Sequence, residues 1–412
     1  MSYQDAQYTE DPYQQKLEQA QASLAADEFR TALYLCEDLL EQRPLDVEAL
    51  NLCAVAATNL GETIMARGLF EKALLLEPAN GAVHHNFAVL LEHAGEYDLA
   101  LRYLKQALEL QPDFPAAYIN LGNVMDEMGD VETAIEMYEE AIHRDPVSTE
   151  GYYNMGYAFN RLGRHREALK SFRSALEIDP LDTTCLNGCG YSLASLGRLT
   201  EALEYYGIAI RQAPDNVRYL FNRAMLYLRR GELQKALDDI DEALRIDGDF
   251  VDARLEKAYL LTELGELNQA LTLLGETAGL EPDSADIPFS QAVILEKQGR
   301  LEEALESLEE SLQRDPDSTR SLNNKGNILI DLGRHDEALN CFDAILARCE
   351  RHPLAHYNRA CIFALQGNAG EAVKALEKAK AFDPELCQEA LKDPDFESIR
   401  QDASFLRLTK DC

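Results

Sequence analysis

The chain has 412 residues, 73 Asp and Glu against 39 Lys and Arg, and a formal net charge of −34. That acidity excludes nucleic acid as the main partner, because phosphate binding needs a cationic surface, and it opposes docking on anionic membranes. The 46% hydrophobic content is enough for a buried core and excludes a wholly disordered chain. Residues 1–12 come first: a polar, acidic stretch with neither the basic nor the apolar region of an export signal. They are expected to form a disordered tail. No run of eighteen apolar residues follows anywhere, so no membrane insertion is expected. The nine cysteines are scattered, with no CxxC pair, and read as reduced thiols of a cytoplasmic protein.

From residue 13 onward the chain repeats itself. Pro44, Pro78, Pro112, Pro146, Pro180 and Pro214 stand 34 residues apart. Gly248 takes the next slot, Pro282 and Pro316 follow, Glu350 breaks the series and Pro384 restores it. With that slot at position 32, eleven repeats fit: 13–46, 47–80, 81–114, 115–148, 149–182, 183–216, 217–250, 251–284, 285–318, 319–352 and 353–386. Position 20 is Ala in all eleven, from Ala32 to Ala372. Position 8 is always Ala or Gly, and position 15 is Gly in ten, with Asp27 the exception.

Each repeat reads as two helices. Tyr152, Met155 and Phe159, at positions 4, 7 and 11, have helical spacing and define helix A. Gly163 supplies the left-handed residue that ends it. Ala168, Phe172 and Ala175 mark the apolar stripe of helix B, and Pro180 stops it. Asp46, Asn80, Ser148, Asp182, Asn216, Ser284 and Ser318 are placed to cap the A helices. Phe114 and His352 read as missing caps, compensated by Pro115 and Pro353 at the first helical position. In the first repeat Lys16 and Gln19 stand where bulky apolar residues belong, as suits a terminal unit with one face in water. Residues 387–412 fall outside the repeat. They are expected to cap its end with Phe396, Ile399, Phe405 and Leu406.

The columns of 149–182 carry a resemblance: Tyr152, Met155, Gly156, Phe159, Gly163, Ala168, Phe172, Ala175 and Pro180. The chain resembles the tetratricopeptide repeat (TPR) family, of bacterial type. The resemblance implies an all-α solenoid, a right-handed superhelix of helix-turn-helix repeats whose A helices line a concave groove. It also implies that positions 2, 5, 6, 9, 12 and 13 face that groove. Position 6 is Asn in six repeats: Asn86, Asn120, Asn154, Asn222, Asn324 and Asn358. An amide offers both a donor and an acceptor, so such a row can hold an extended peptide backbone. This is similar to the asparagine ladder in the repeat array of O-GlcNAc transferase. The other reading is structural, each Asn bonding to the neighbouring helix. Asn123, Tyr153, Tyr157, Asn187, Tyr191, Phe221 and Tyr259 accompany the row as candidate side-chain anchors. The row is interrupted at Gly188, Glu256 and Ser290, which points to residues 81–250 as its centre. Family members that grip chaperone carboxylates carry Lys at position 5; no repeat here does.

Charge varies by block. Residues 1–148 hold 27 acids and 8 bases, net −19; residues 149–250 hold 15 and 13, net −2. Residues 251–318 hold 16 and 5, net −11. Arg161, Arg218, Arg223, Arg229 and Arg230 thus form a relatively basic island, either a solvated face or a dock for an acidic peptide. Cys349, His352, His356 and Cys361 have metal-like spacing, but His356 fills a packing position and His352 a turn, so no metal is expected. No phosphate loop, GxSxG elbow or HExxH occurs, and the repeats leave no stretch for a catalytic domain. The expectation is a non-enzymatic scaffold without cofactors that binds a protein or peptide in its groove. A self-assembling structural platform, with homo-oligomers, and a regulatory or substrate-recruiting subunit of an enzyme complex are the alternatives.

Overall fold

The computed structural model describes residues 11–410; residues 1–10, most of the expected tail, and 411–412 lie outside the described residues. Every element among the described residues is helical. The chain divides into two compact bodies between Pro214 and Asp215. In repeats 2 to 7 the A helices occupy positions 1–13 and the B helices 17–30, as in Thr149–Arg161 and His165–Ile178. Within each body an A helix packs on its own B helix and on the preceding B helix, and in most repeats also on the next A helix.

Local chemistry sets these boundaries. The ten position-15 glycines all have positive φ, from 70° to 87°, a conformation other residues resist. Asp27 takes the same slot at φ 58°. Asp46, Asn80, Asp182, Asn216 and Ser318 cap their A helices through side-chain oxygens. Two expected caps are not made. Ser148 makes no side-chain bond, and Ser284 lies short of its helix, which starts at Asp286. A cap read as missing is made: His352 Nδ1 accepts the Ala355 N–H at 3.1 Å, an imidazole doing the work of a carboxylate.

The helix crossing inside each repeat is built on a matched pair. A Cβ added to Gly122, Gly156, Gly190 or Gly326 would come within 2.4 to 2.7 Å of Tyr138, Phe172, Tyr206 or Phe342 respectively. These aromatics all occupy position 24. Where position 24 is aliphatic, as at Leu104, Ile240, Leu274, Leu308 and Leu376, position 8 is Ala. A ring needs the space that a methyl group would take, so glycine and ring go together. Phe70 over Ala54 is the exception.

The two ends depart from the pattern. Asp11 caps the first helix, Pro12–Ala25, and the helix buries Tyr13, Leu17 and Ala20. Gln19 is exposed and Lys16 is half-buried, paired with Asp38, while Leu17 is buried as Ile119 and Tyr357 are at the same position. At the other end, Glu385–Ala390, the 3-10 helix Pro394–Ile399 and Ala403–Thr409 fold over the last repeat. Phe396, Ile399 and Phe405 join Tyr357, Ala360, Ala364 and Leu376 in one buried cluster. Leu406 does not take part: it is 49% exposed, one helical step from Phe405. The Tyr357 hydroxyl donates to Asp393 at 2.6 Å, tying the last A helix to this closing segment. Among the described residues seven cysteines are free thiols, six of them buried, while Cys387 differs from expectation in being disulfide-bonded.

Candidate binding wall of the A helices

Position 8 is buried in every A helix, whereas position 6 is half-exposed wherever it is Asn, so those amides lie on a different side from the crossing with helix B. The position-6 amides reach from there to the preceding repeat. Asn86 Nδ2 donates to Asn51 Oδ1 at 3.0 Å, and Asn154 Nδ2 to Asn123 Oδ1 at 3.1 Å. Asn358 Nδ2 donates to Asn323 at 3.2 Å and to Asn327 at 2.9 Å. The acceptors stand at position 5 or 9 of the A helix before. Asn120 Nδ2 meets His85 Nε2 at 2.9 Å, while His85 Nδ1 meets Asn86 Oδ1 at 3.0 Å. Since the amide oxygen accepts, Nδ1 carries the proton and Nε2 accepts; the ring must be neutral. Burial lowers the His85 pKa in the same sense.

Asn86, Asn120, Asn154 and Asn358 therefore act as cross-braces between successive A helices, the structural alternative read from sequence. The amides are not hidden by it. Asn86, Asn120, Asn154, Asn222, Asn324 and Asn358 are all half-buried, with a face left towards solvent. Asn324, preceded by Phe289 and Val293 at positions 5 and 9, has no such partner among the described residues. The accepting residues Asn51, His85, Asn323 and Asn327 were missed as members of the array. Their spacing of 35 or 31 residues before an Asn is the signal that finds them.

The aromatic candidates divide. Tyr153 packs edge-on against Tyr157 at 4.6 Å, and Tyr157 against Phe172 at 5.2 Å. Phe221 lies 5.3 Å from Phe250. Tyr191 and Tyr259 stand open, at 50% and 51% exposure. Asn123 also accepts the Tyr138 hydroxyl at 2.9 Å, and Asn187 is half-buried. The gap at Gly188 has a steric cause: a Cβ there would lie 2.6 Å from Phe172, the same ring that Gly156 accommodates.

Charge on the wall is uneven. Glu92 is pushed up to about 7 by burial, with Glu127 and Glu150 adding repulsion. Arg161 pairs with Asp126 at 2.6 Å. In the basic island, Arg223 grips buried Asp239 through two bonds of 2.7 and 2.6 Å, so it is committed to packing rather than to a partner.

Tetratricopeptide repeat models match residues 91–155, 149–181, 190–249, 255–319 and 323–386, well over half the chain. The chain belongs to the tetratricopeptide repeat family. Among solved structures, yeast Tom70 is similar at 15% identity and a TM-score of 0.52, over 97% of this chain and 99% of that one. YrrB, a TPR protein with an unusual peptide-binding site, matches at 29% identity over 45% of this chain and 95% of its own, with a TM-score of 0.38. A TPR protein from Parabacteroides merdae matches at 20% identity over 64% of this chain and 98% of its own, with a TM-score of 0.49. No curated protein matches the chain.

In this TPR protein the reactive side chains serve packing. His356 is buried with Nε2 2.8 Å from the Glu350 carbonyl, and His352 is spent on its cap. Cys189 is buried and its thiol is pushed up to about 12. Cys361, Asp393 and Asp395 gather within 4.8 Å, but Asp393 is engaged by Tyr357 and by the backbone it caps. No helix among the described residues is long and apolar enough to cross a membrane.

Proposed function

We propose that this TPR protein is a scaffold that holds an extended segment of a partner protein along its A helices. The observation that carries the reading is the half-buried amide column. Within each body, each braced amide uses an N–H towards its neighbour and keeps a face in solvent, so it is positioned before any ligand arrives. A preorganised array loses little further freedom on binding. Amide groups recognise backbone irrespective of sequence, while open rings such as Tyr191 and Tyr259 add side-chain anchorage. Membership of the TPR family supports the same reading.

The test uses the full chain. Asn120, Asn154 and Asn222 are changed together to Ala, and captured partners are compared with those of the wild type by crosslinking and mass spectrometry. Capture is expected to fall at least tenfold, with crosslinks lost from the A helices. Undiminished capture by a variant that melts as the wild type does removes the amides from the function.

A further inference from the structure

The amide column is broken at Glu256 and Ser290, and at that break the structure opens. The repeat 8 B helix, Leu267–Thr277, stops a turn early, in a stretch weakened by Gly275 and Gly279. The next A helix starts late, at Asp286, with Pro288 in its first turn. Between the A helices Val251–Glu263 and Asp286–Lys297 lies a cavity of about 140 Å³. Leu255, Ala258, Tyr259, Phe289, Val293 and Ile294 form its walls. Lys297 and Glu263, paired at 2.9 Å, stand at its edge. Leu255, Tyr259, Phe289 and Val293 occupy positions 5 and 9, the positions that hold brace acceptors elsewhere. Apolar residues have replaced the amides there, and the space between helices is left unfilled.

We infer that this cavity takes one Leu-, Met- or Phe-sized side chain from a positively charged segment of another protein. The size fits: about 150 Å³ of apolar cavity holds a benzene-sized group. The charge is argued from the surroundings. Residues 251–318 hold 16 acids and 5 bases. Glu256 follows Leu255 directly, and Glu296 lies one turn beyond Val293. Neither has a basic partner among the described residues. Burial raises the pKa of both, with Asp252 adding to the effect at Glu256 and Asp331 at Glu296. These carboxylates stand outside the cavity lining, where they favour cationic side chains flanking the anchored one. The cavity adds sequence preference to a wall whose amides read only backbone, so the inference rests on the scaffold reading.

The test selects binders for the full chain from a random dodecapeptide phage library. The commonest enriched sequence is then made as a labelled peptide and titrated by fluorescence anisotropy. Enriched peptides are expected to pair a bulky apolar residue with Lys or Arg within three positions. Val293→Trp and Ser290→Phe, which fill the cavity from neighbouring positions of one helix, should each weaken binding at least tenfold. Glu256→Gln with Glu296→Gln should weaken it several-fold and reduce its salt dependence. Ser290→Phe decides if Val293→Trp does not fold. Peptides that ignore both filling variants but lose affinity in the triple Asn variant overturn the cavity and leave the scaffold reading intact. Enriched peptides that are acidic overturn the charge argument. A library yielding no binder overturns both readings.

Discussion

Gly156 has no room for a side chain, because Phe172 already fills the space above it. Gly156→Leu should therefore overpack the crossing and destabilise the protein by about 1–3 kcal/mol in a chemical denaturation series. Asp27 gives the opposite case, a side chain in a left-handed slot that glycine takes in the ten other repeats. Asp27→Gly should stabilise by about 1 kcal/mol, seen as a shifted midpoint at an unchanged slope. Arg223→Met leaves Asp239 buried and unpaired, at a cost of about 3 kcal/mol, and Asp239→Leu in the same chain should recover most of it. Titration follows the same reasoning. Glu92 holds its proton up to about 7 in the fold against 4.5 for an ordinary glutamate, so the folded state binds more protons between those values. Stability must then fall as pH rises through that window, and Glu92→Gln should flatten the decline in melting temperature. His85 works in the other direction, because its lowered pKa favours the fold once pH rises towards 6.5.

Helix pairs and their turns were legible in the sequence because their causes are local. A glycine at position 15, a proline at 32 and an apolar stripe act within one or two turns. The cross-braces were not, since they join residues 31 or 35 apart whose meaning depends on two repeats stacking. The short B helix of repeat 8 was also hidden: its Ala270 and Gly265 keep the columns in register while Gly275 and Gly279 undo the last turn. In the closing segment Phe396, Ile399 and Phe405 are buried and Leu406 is exposed, a difference hydrophobicity alone does not give, because one helical step decides which side chain enters. Truncation after Pro384 removes Leu386, Phe396, Ile399 and Phe405 from a buried cluster and should expose Ala360, Ala364 and Leu376. The shortened protein is expected to aggregate on concentration, measurable by light scattering.

At the scale of the molecule, charge opposes compactness. A formal charge of −34 repels itself, and salt screens such repulsion within about 10 Å at 0.1 M. Melting temperature should rise between 20 and 200 mM sodium chloride, a trend opposite to that of a fold held by surface ion pairs. The same acidity makes a cationic partner the natural one for the cavity between repeats 8 and 9.

Phe172 touches two glycines in different repeats, Gly156 in its own and Gly188 in the next. Repeats 5 and 6 are thus not interchangeable bricks. A recombinant that inserts another module between them, or swaps repeat 6 for one with Asn at position 6, brings a side chain against the ring. Duplication and shuffling of such arrays must carry that pair as a single heritable block.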